Sequence, residues 1–262
     1  MIGYNGGRLG KINPTSTSLV TGVFKLRENA TNKLAGLWPV ITLDPFWLQT
    51  AALFSFENNY LDKSPAIRTA QTFGSVSITN TGVKYGVGSY STNGGILWWV
   101  MTAAPGTDSF TIEAWVKPTA STSATDAMVF GMHATGGGDD FQLLRDGTSS
   151  NPMALTVRVN TNPQNTPVNV TVIPASASTV LPDGVWSHVA VVKSGNNYTL
   201  FINGAVAGTG SNSYSITGST MYVGRNFAGG QTLYAVYDEI RYTLAARYTG
   251  AFTPSTSPWP VG

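Results

Sequence analysis

The sequence predicts an antiparallel all-β protein, a β-sandwich preceded by an extended N-terminal arm, and three observations carry that expectation. Glycine and proline take 29 and 14 of 262 positions, and charged residues make up only 11%, where soluble domains usually carry about 25%. Such a chain is rich in turns. Beyond Thr50, apolar runs of strand length recur with turn residues between them and without the helical stretches that a parallel sheet needs. The dipeptide Asn203-Gly204, between Tyr198–Ile202 and Ala205–Ala207, supplies the two positive-φ positions of a type I′ hairpin turn.

The elements follow in order. In the first forty residues Gly3, Gly6, Gly7 and Gly10, then Asn13-Pro14 and the Thr15–Ser18 tract, argue against helix or strand. A short helix is expected from Phe24 to Leu34, where Leu26, Ala30 and Leu34 are spaced by four before Gly36 and Pro39. The apolar side chains of this stretch are too many for a linker and need a surface to cover. Residues 40–50 form an apolar bridge whose Phe46, Trp47 and Leu48 are expected to pack on the body or on a neighbour. We therefore place an arm and linker at 1–50 and a sandwich domain at 51–262. Strands are expected near 51–56, 72–79, 96–101, 109–117, 127–133, 140–145, 153–159, 168–173, 185–193, 197–202, 205–208, 219–225 and 233–242.

Two strands show which side faces in. In Ser109–Lys117, Phe110, Ile112, Ala114 and Val116 share one face and belong in the core. In Trp186–Lys193 both faces are apolar, which marks a central strand covered on each side.

Composition also removes functions. No Cys is present, which excludes disulfides, thiolate nucleophiles and Cys-based zinc sites, and only His133 and His188 could serve a histidine site. Residues 1–40 hold five bases (Arg8, Lys11, Lys25, Arg27, Lys33) against one acid, Glu28, while the remainder is nearly neutral. Dispersed charges of this kind make a poor nucleic-acid footprint, so no nucleic-acid partner is expected. No run of eighteen apolar residues predicts a membrane span, and the first residues lack a signal-peptide pattern, so folding in a cytoplasm is expected.

Several segments then resemble a known family in their spelling and order. They are Phe110-Thr-Ile-Glu-Ala-Trp-Val-Lys117, Trp186-Ser-His-Val-Ala-Val-Val-Lys193, Tyr198-Thr-Leu-Phe-Ile-Asn-Gly204, Tyr222-Val-Gly-Arg225, Tyr237-Asp-Glu-Ile-Arg241 and Ala246-Arg-Tyr-Thr-Gly-Ala-Phe-Thr-Pro254. With Leu53–Asn58 and Lys84–Ser89, the set resembles laminin-G-like, concanavalin A-like jelly-roll domains over residues 51–258. The closing Ala246–Pro254 is most similar to such domains in bacteriophage virion proteins. Gly3–Gly10, Gly22–Arg27 and Gly36–Pro39 resemble the leaders of phage tail-fibre-like and capsid-surface proteins.

The resemblance implies a virion structural protein, of capsid-decoration or tail-fibre type, assembled in the host cytoplasm in many copies. Its arm would dock on other virion proteins (capsid, tail or portal-associated subunits), with Tyr4, Phe24 and Trp38 as buried anchors and Arg8, Lys11 and Arg27 pairing with acids. The sandwich would touch host cell-surface glycans, and copies would also pack on one another as a homo-oligomer. The alternative is a free carbohydrate-binding lectin module.

For glycan contact the candidates are Trp115 and Glu113, since a flat indole flanked by hydrogen-bonding groups suits a pyranose. Alternatively Trp98, Trp99 and Trp115 fill the second layer of the sandwich. No catalytic residue is expected, because no strand carries the alternating carboxylates of a glucanase-type site. Glu113 and Glu239, and the pairs Asp139-Asp140 and Asp238-Glu239, are equally well read as acceptors for backbone or arginine donors. His188 is expected to be a hydrogen-bonded structural histidine. No cofactor is required. The resemblance leaves open a rim Ca2+ ion, with Asp62 and Asp238 at the matching positions.

Overall fold

The computed structural model describes residues 44–119, 126–134, 137–146, 150, 153–160, 169–226 and 228–260. The helix expected over Phe24–Leu34 and the arm residues Tyr4, Arg8, Lys11, Phe24, Arg27 and Trp38 lie outside the described residues.

The described chain opens on a 3-10 turn, Trp47–Gln49, and runs into β1 (Thr50–Phe54), β2 (Gln71–Phe73), β3 (Ser77–Thr79), β4 (Ser89–Ser91) and β5 (Ile96–Val100). The long central strand β6 (Phe110–Pro118) precedes β7 (Ala127–His133), β8 (Asp139–Arg145), β9 (Leu155–Asn160) and β10 (Asn169–Ile173). Then come β11 (Ser187–Ser194), β12 (Asn197–Ile202), β13 (Ala205–Ser211), β14 (Thr220–Val223) and β15 (Ala235–Thr243).

They form two antiparallel sheets. One has eight strands in the order β13-β12-β11-β6-β15-β4-β3, with β1 also paired to β15; the other has seven, in the order β10-β9-β8-β7-β14-β5-β2. Neighbours in space are often distant in sequence, as for β6 between β11 and β15. The fold is all-β, a two-sheet jelly-roll sandwich.

Side-chain alternation explains which residues meet between the sheets. Phe110, Ile112, Ala114 and Val116 of β6 all enter the main core with Val189 and Val191 of β11, as period-two spacing predicts. From the opposite sheet come Leu97, Trp99, Phe130, Phe141 and Val157. Phe110 meets Phe141 edge-on, 5.5 Å between centroids, and Phe54 tilts against Trp99 at 5.0 Å. Ala190 and Val192 point away from this core and pack with Phe201 in a second cluster, beneath Ala246, Tyr248 and Phe252. The β11 strand is thus covered on both faces.

The Asn203-Gly204 turn has φ of +51° and +78°, the positive pair expected of it. Gly204 also lets the C-terminal segment approach, since a Cβ there would lie 1.8 Å from the Phe252 carbonyl oxygen. The strand expected at 72–79 is instead two. Gly74, at φ +83°, ends β2, and Val76 N–H donates back to Gly74 O at 3.0 Å. The chain then crosses, so β2 and β3 belong to different sheets. The short polar strand β4 (Ser-Tyr-Ser) carries little strand signal. It is recruited through Tyr90, which is fully buried against Phe56 and Tyr237.

Candidate functional site

Each sheet has an outer face, and register shows what each presents. On the eight-stranded sheet a row runs Phe201, Ala190, Glu113, Arg241. A bulge between Asp238 and Arg241 turns Glu239 out of the ladder at φ +49°. Glu113 has no solvent exposure. It accepts from Arg241 Nε at 2.8 Å and from the Tyr248 hydroxyl at 2.7 Å, and His188 Nε2 lies 3.2 Å from it. Asp44 joins the cluster through Arg241 at 3.2 Å and Arg247 at 2.7 Å, so the sandwich body reaches back to residues before Thr50. Phe46 lies beneath Arg247, whereas Leu48 is 89% exposed.

Burial alone would raise the Glu113 carboxyl, but the Arg241 charge, the His188 contact and Arg247 outweigh it and bring its pKa down to about 2. Glu239 is pushed up to about 7, first by burial and further by the Asp238 charge, although the Trp259 N–H opposes this. Asp238 rises to about 6 through burial, moderated by the Tyr85 N–H and the Ser89 hydroxyl.

The C-terminal segment closes over these groups. Trp259 N–H donates to Glu239 Oε2 at 2.8 Å, the Arg241 guanidinium lies 3.7 Å from the Trp259 ring, and Phe252 N–H reaches Gly204 O at 2.9 Å. His188 meets Phe252 and Trp259 edge-on. It is a buried structural histidine.

This arrangement corrects the glycan expectation for two residues. Trp115 and Glu113 do face away from the core, but neither is open to a glycan. Trp115 is 8% exposed, with Lys84 Nζ 3.6 Å from its ring centroid and Tyr85 and His188 set edge-on against it. Glu113 is consumed by its cations. The matching positions for calcium are also engaged. Asp62 accepts from the Leu53, Ser64 and Arg68 N–H groups and the Ser64 hydroxyl, and Asp238 from the Tyr85 and Glu239 N–H groups and the Ser89 hydroxyl. Both oxygens of each carboxylate thus accept from backbone and hydroxyl donors of the chain itself. Among the described residues no group of three or more His, Asp or Glu side chains is placed to hold a metal.

The acid pairs read alongside them are likewise engaged. Asp140 Oδ2 accepts from Thr217 N–H, the Thr217 hydroxyl and Gly218 N–H, and Asp139 Oδ1 lies 3.1 Å from His133 Nδ1.

The seven-stranded sheet presents something different. Gln71, Trp98, Tyr222, Gly131, Gln142 and Arg158 stand opposite one another across six of its strands. They alternate with the core residues Leu97, Met221, Phe130, Phe141 and Val157 and so point outward. Trp98 is half-buried and tilts toward Tyr222 at 6.4 Å, over a small apolar bed of Ile96, Met128 and Leu144. Gly131 makes room for Met128, whose sulfur would lie 2.5 Å from a Cβ there.

Polar side chains flank the rings. Gln142 Nε2 bridges Asp139 at 3.3 Å and Gln231 at 3.1 Å, and Asn226 also donates to Gln231. Arg158 is fixed between Asp126, at 2.7 Å, and Asp146. Burial and the Asp139 charge push the Tyr222 phenol up to about 12, so it stays a donor. Tyr222 and Gln142 are themselves buried, at 3% and 7% exposure, so the face presents the half-buried Trp98 ring and the Arg158 guanidinium above them, an apolar ring near hydrogen-bond donors. Sequence reasoning passed over Trp98, although the signal was there: adjacent residues in a strand point to opposite faces, so Trp98-Trp99 cannot both lie in the core.

Among solved structures, the chain is similar to domain 4 of AbnA, a GH43 extracellular arabinanase from Geobacillus stearothermophilus in complex with arabinotriose. The identity is 20% and the TM-score 0.58, over 79% of this chain and 96% of that one. It is also similar to the binding domain of botulinum neurotoxin DC in complex with SialylT (10% identity, TM-score 0.54, 76% of this chain and 48% of that one). The binding domain of Paraclostridial Mosquitocidal Protein 1 gives 13% identity and a TM-score of 0.54, over 76% and 50% of the two chains. The chain spans about half the length of these two toxin binding domains. At such identities the likeness speaks for the fold. No curated protein matches the sequence. The laminin G model of the Concanavalin A-like lectin/glucanases superfamily matches residues 90–247, more than half of the chain, and the protein belongs to that family.

Proposed function

We propose that the protein is a bacteriophage virion structural subunit, of capsid-decoration or fibre/appendage type, anchored by its N-terminal arm and using the outer face of its seven-stranded sheet to touch host glycans. The glycan half is carried by Trp98 and Arg158, the part-exposed members of this row, on the sheet face opposite the core and backed by the buried Tyr222 and Gln142. The solved complexes of arabinotriose and of SialylT with domains of this fold support it. The virion half is supported by the phage-like spelling of Ala246–Pro254 and by an apolar, sparsely cationic leader. The leader's partners are other virion proteins, and copies associate on the particle. Many copies make a weak single site sufficient. No catalytic step, cofactor, membrane or nucleic acid enters this reading.

Two experiments test it. On a glycan array the full chain binds a defined set of sugars and Trp98→Ala does not; equal binding by the variant would overturn the glycan reading. Deleting residues 1–40 leaves a folded sandwich that no longer joins particles of the encoding phage. Normal incorporation of the truncated chain would overturn the anchoring role. A free carbohydrate-binding module is the second reading, favoured by the way the C-terminal segment seals the eight-stranded sheet from within the same chain. It requires sugar binding together with absence from purified particles.

A further inference from the structure

A cavity of about 290 Å³ opens where the start of β1, the segment before β2, the β5–β6 connection and the end of β15 converge. It shares no residue with the Trp98 row. Its walls are apolar, built from Ala51, Met101, Pro105 and Leu244, with Arg68 and Tyr242 among the polar lining.

These two polar groups are unsatisfied in the same sense. Arg145, Arg158, Arg241 and Arg247 all pair with carboxylates, whereas among the described residues Arg68 and Arg225 have no ion pair, and of these two Arg68 lines the cavity. Its Nη2 donates to the Thr102 hydroxyl, while its buried Nε has no acceptor. Tyr242 has no solvent exposure, and its hydroxyl has no hydrogen-bond partner. A donor left without an acceptor away from water is destabilising, so what the cavity lacks is an acceptor.

Burial and the nearby Asp108 charge raise the Tyr242 phenol far above its ordinary value, which keeps it a donor. Asp108, exposed at the rim, supplies an acceptor for ligand hydroxyls. Lys193 Nζ, held by the carbonyls of Thr107 and Asp108 at 2.6 and 3.1 Å, offsets the Asp108 charge and leaves the local balance positive.

We propose that this cavity is a second binding site, one that takes a single hexuronic acid residue. Arg68 and Tyr242 donate to its carboxylate, the walls pack on the C–H surface of the ring, and Asp108 accepts from ring hydroxyls. The volume sits at the small end for ligand pockets and suits one sugar residue rather than a chain.

Calorimetric or NMR titration of the full chain with glucuronate, galacturonate, glucose and acetate tests the assignment. The two hexuronates are expected to bind at least tenfold more tightly than glucose or acetate. Arg68→Met lowers hexuronate affinity about tenfold or more, since a hydrogen bond to a charged group contributes about 1.5–3 kcal/mol. Tyr242→Phe lowers it severalfold. Because the Tyr242 hydroxyl has no partner to lose, that variant folds at least as stably as the parent, which separates a binding defect from a folding one. Hexuronate binding unchanged in both variants, or glucose matching the hexuronates, overturns the proposal. Acetate matching them reduces the cavity to a carboxylate hole and overturns the sugar assignment. None of these outcomes depends on the Trp98 face, whose own test is the glycan array.

Discussion

The two outer faces of the sandwich carry equivalent rows across their sheets, yet they are used in opposite ways. Phe201, Ala190, Glu113 and Arg241 cross the eight-stranded sheet, and Trp98, Tyr222, Gln142 and Arg158 cross the seven-stranded one. Both rows mix aromatic and polar groups. On the first, residues 244–260 close over the row, and every charge is matched within the chain. On the second, Trp98 and Arg158 remain part-exposed. The same side-chain types serve stability where the chain returns to cover them, and the proposed glycan contact uses the face that it leaves part-exposed.

Breaking the covered face should produce the largest effect. Glu113→Gln removes the charge shared by Arg241, Arg247 and His188, and stranding buried cations costs about 3–5 kcal/mol, measurable by urea denaturation. Because its folded pKa lies near 2, below the ordinary 4.5, the stability that Glu113 contributes is full above about pH 4.5 and is lost as pH falls toward 2. Asp238 and Glu239 act in the other sense. Held near 6 and 7, they keep protons that the unfolded chain has released, so stability falls as pH rises from about 4 through 7. Glu239→Gln flattens that second slope and leaves the acid limb intact.

Next, Trp115→Ala costs about 3 kcal/mol through the cavity left beneath Lys84 and Tyr85. Gly204→Ala comes third, at about 2 kcal/mol. It imposes a Cβ on a residue at φ +78° and drives it into the Phe252 carbonyl, so chemical denaturation and near-ultraviolet signals from the C-terminal aromatics should change together. On the uncovered face, Trp98→Ala should alter stability by about 1 kcal/mol while lowering glycan affinity about tenfold.

Much of the fold was legible because its signals are local. The alternation in β6, the two-sided apolarity of β11 and the Asn203-Gly204 turn each follow from neighbouring residues. The division of 72–79 into strands of different sheets was not legible, since it depends on Gly74 turning the chain and on Tyr90 drawing in a partner strand from a polar stretch. The site failed for a related reason. Period-two spacing placed Trp115 and Glu113 outside the core, but whether an outer face is open depends on where a distant segment lies. Trp259 and Phe252, far along the chain, decide the fate of Glu113. A basic residue's need for a carboxylate is visible in sequence, whereas its position is not.

The central claim is that one outer face recognises and the other stabilises. The direct test is to measure glycan affinity and unfolding free energy together for Trp98→Ala and Trp115→Ala. The account predicts a reciprocal pattern: Trp98→Ala loses binding and changes stability by only about 1 kcal/mol, and Trp115→Ala loses about 3 kcal/mol of stability while its folded fraction binds like the parent. Binding lost in folded Trp115→Ala and retained in Trp98→Ala would contradict it.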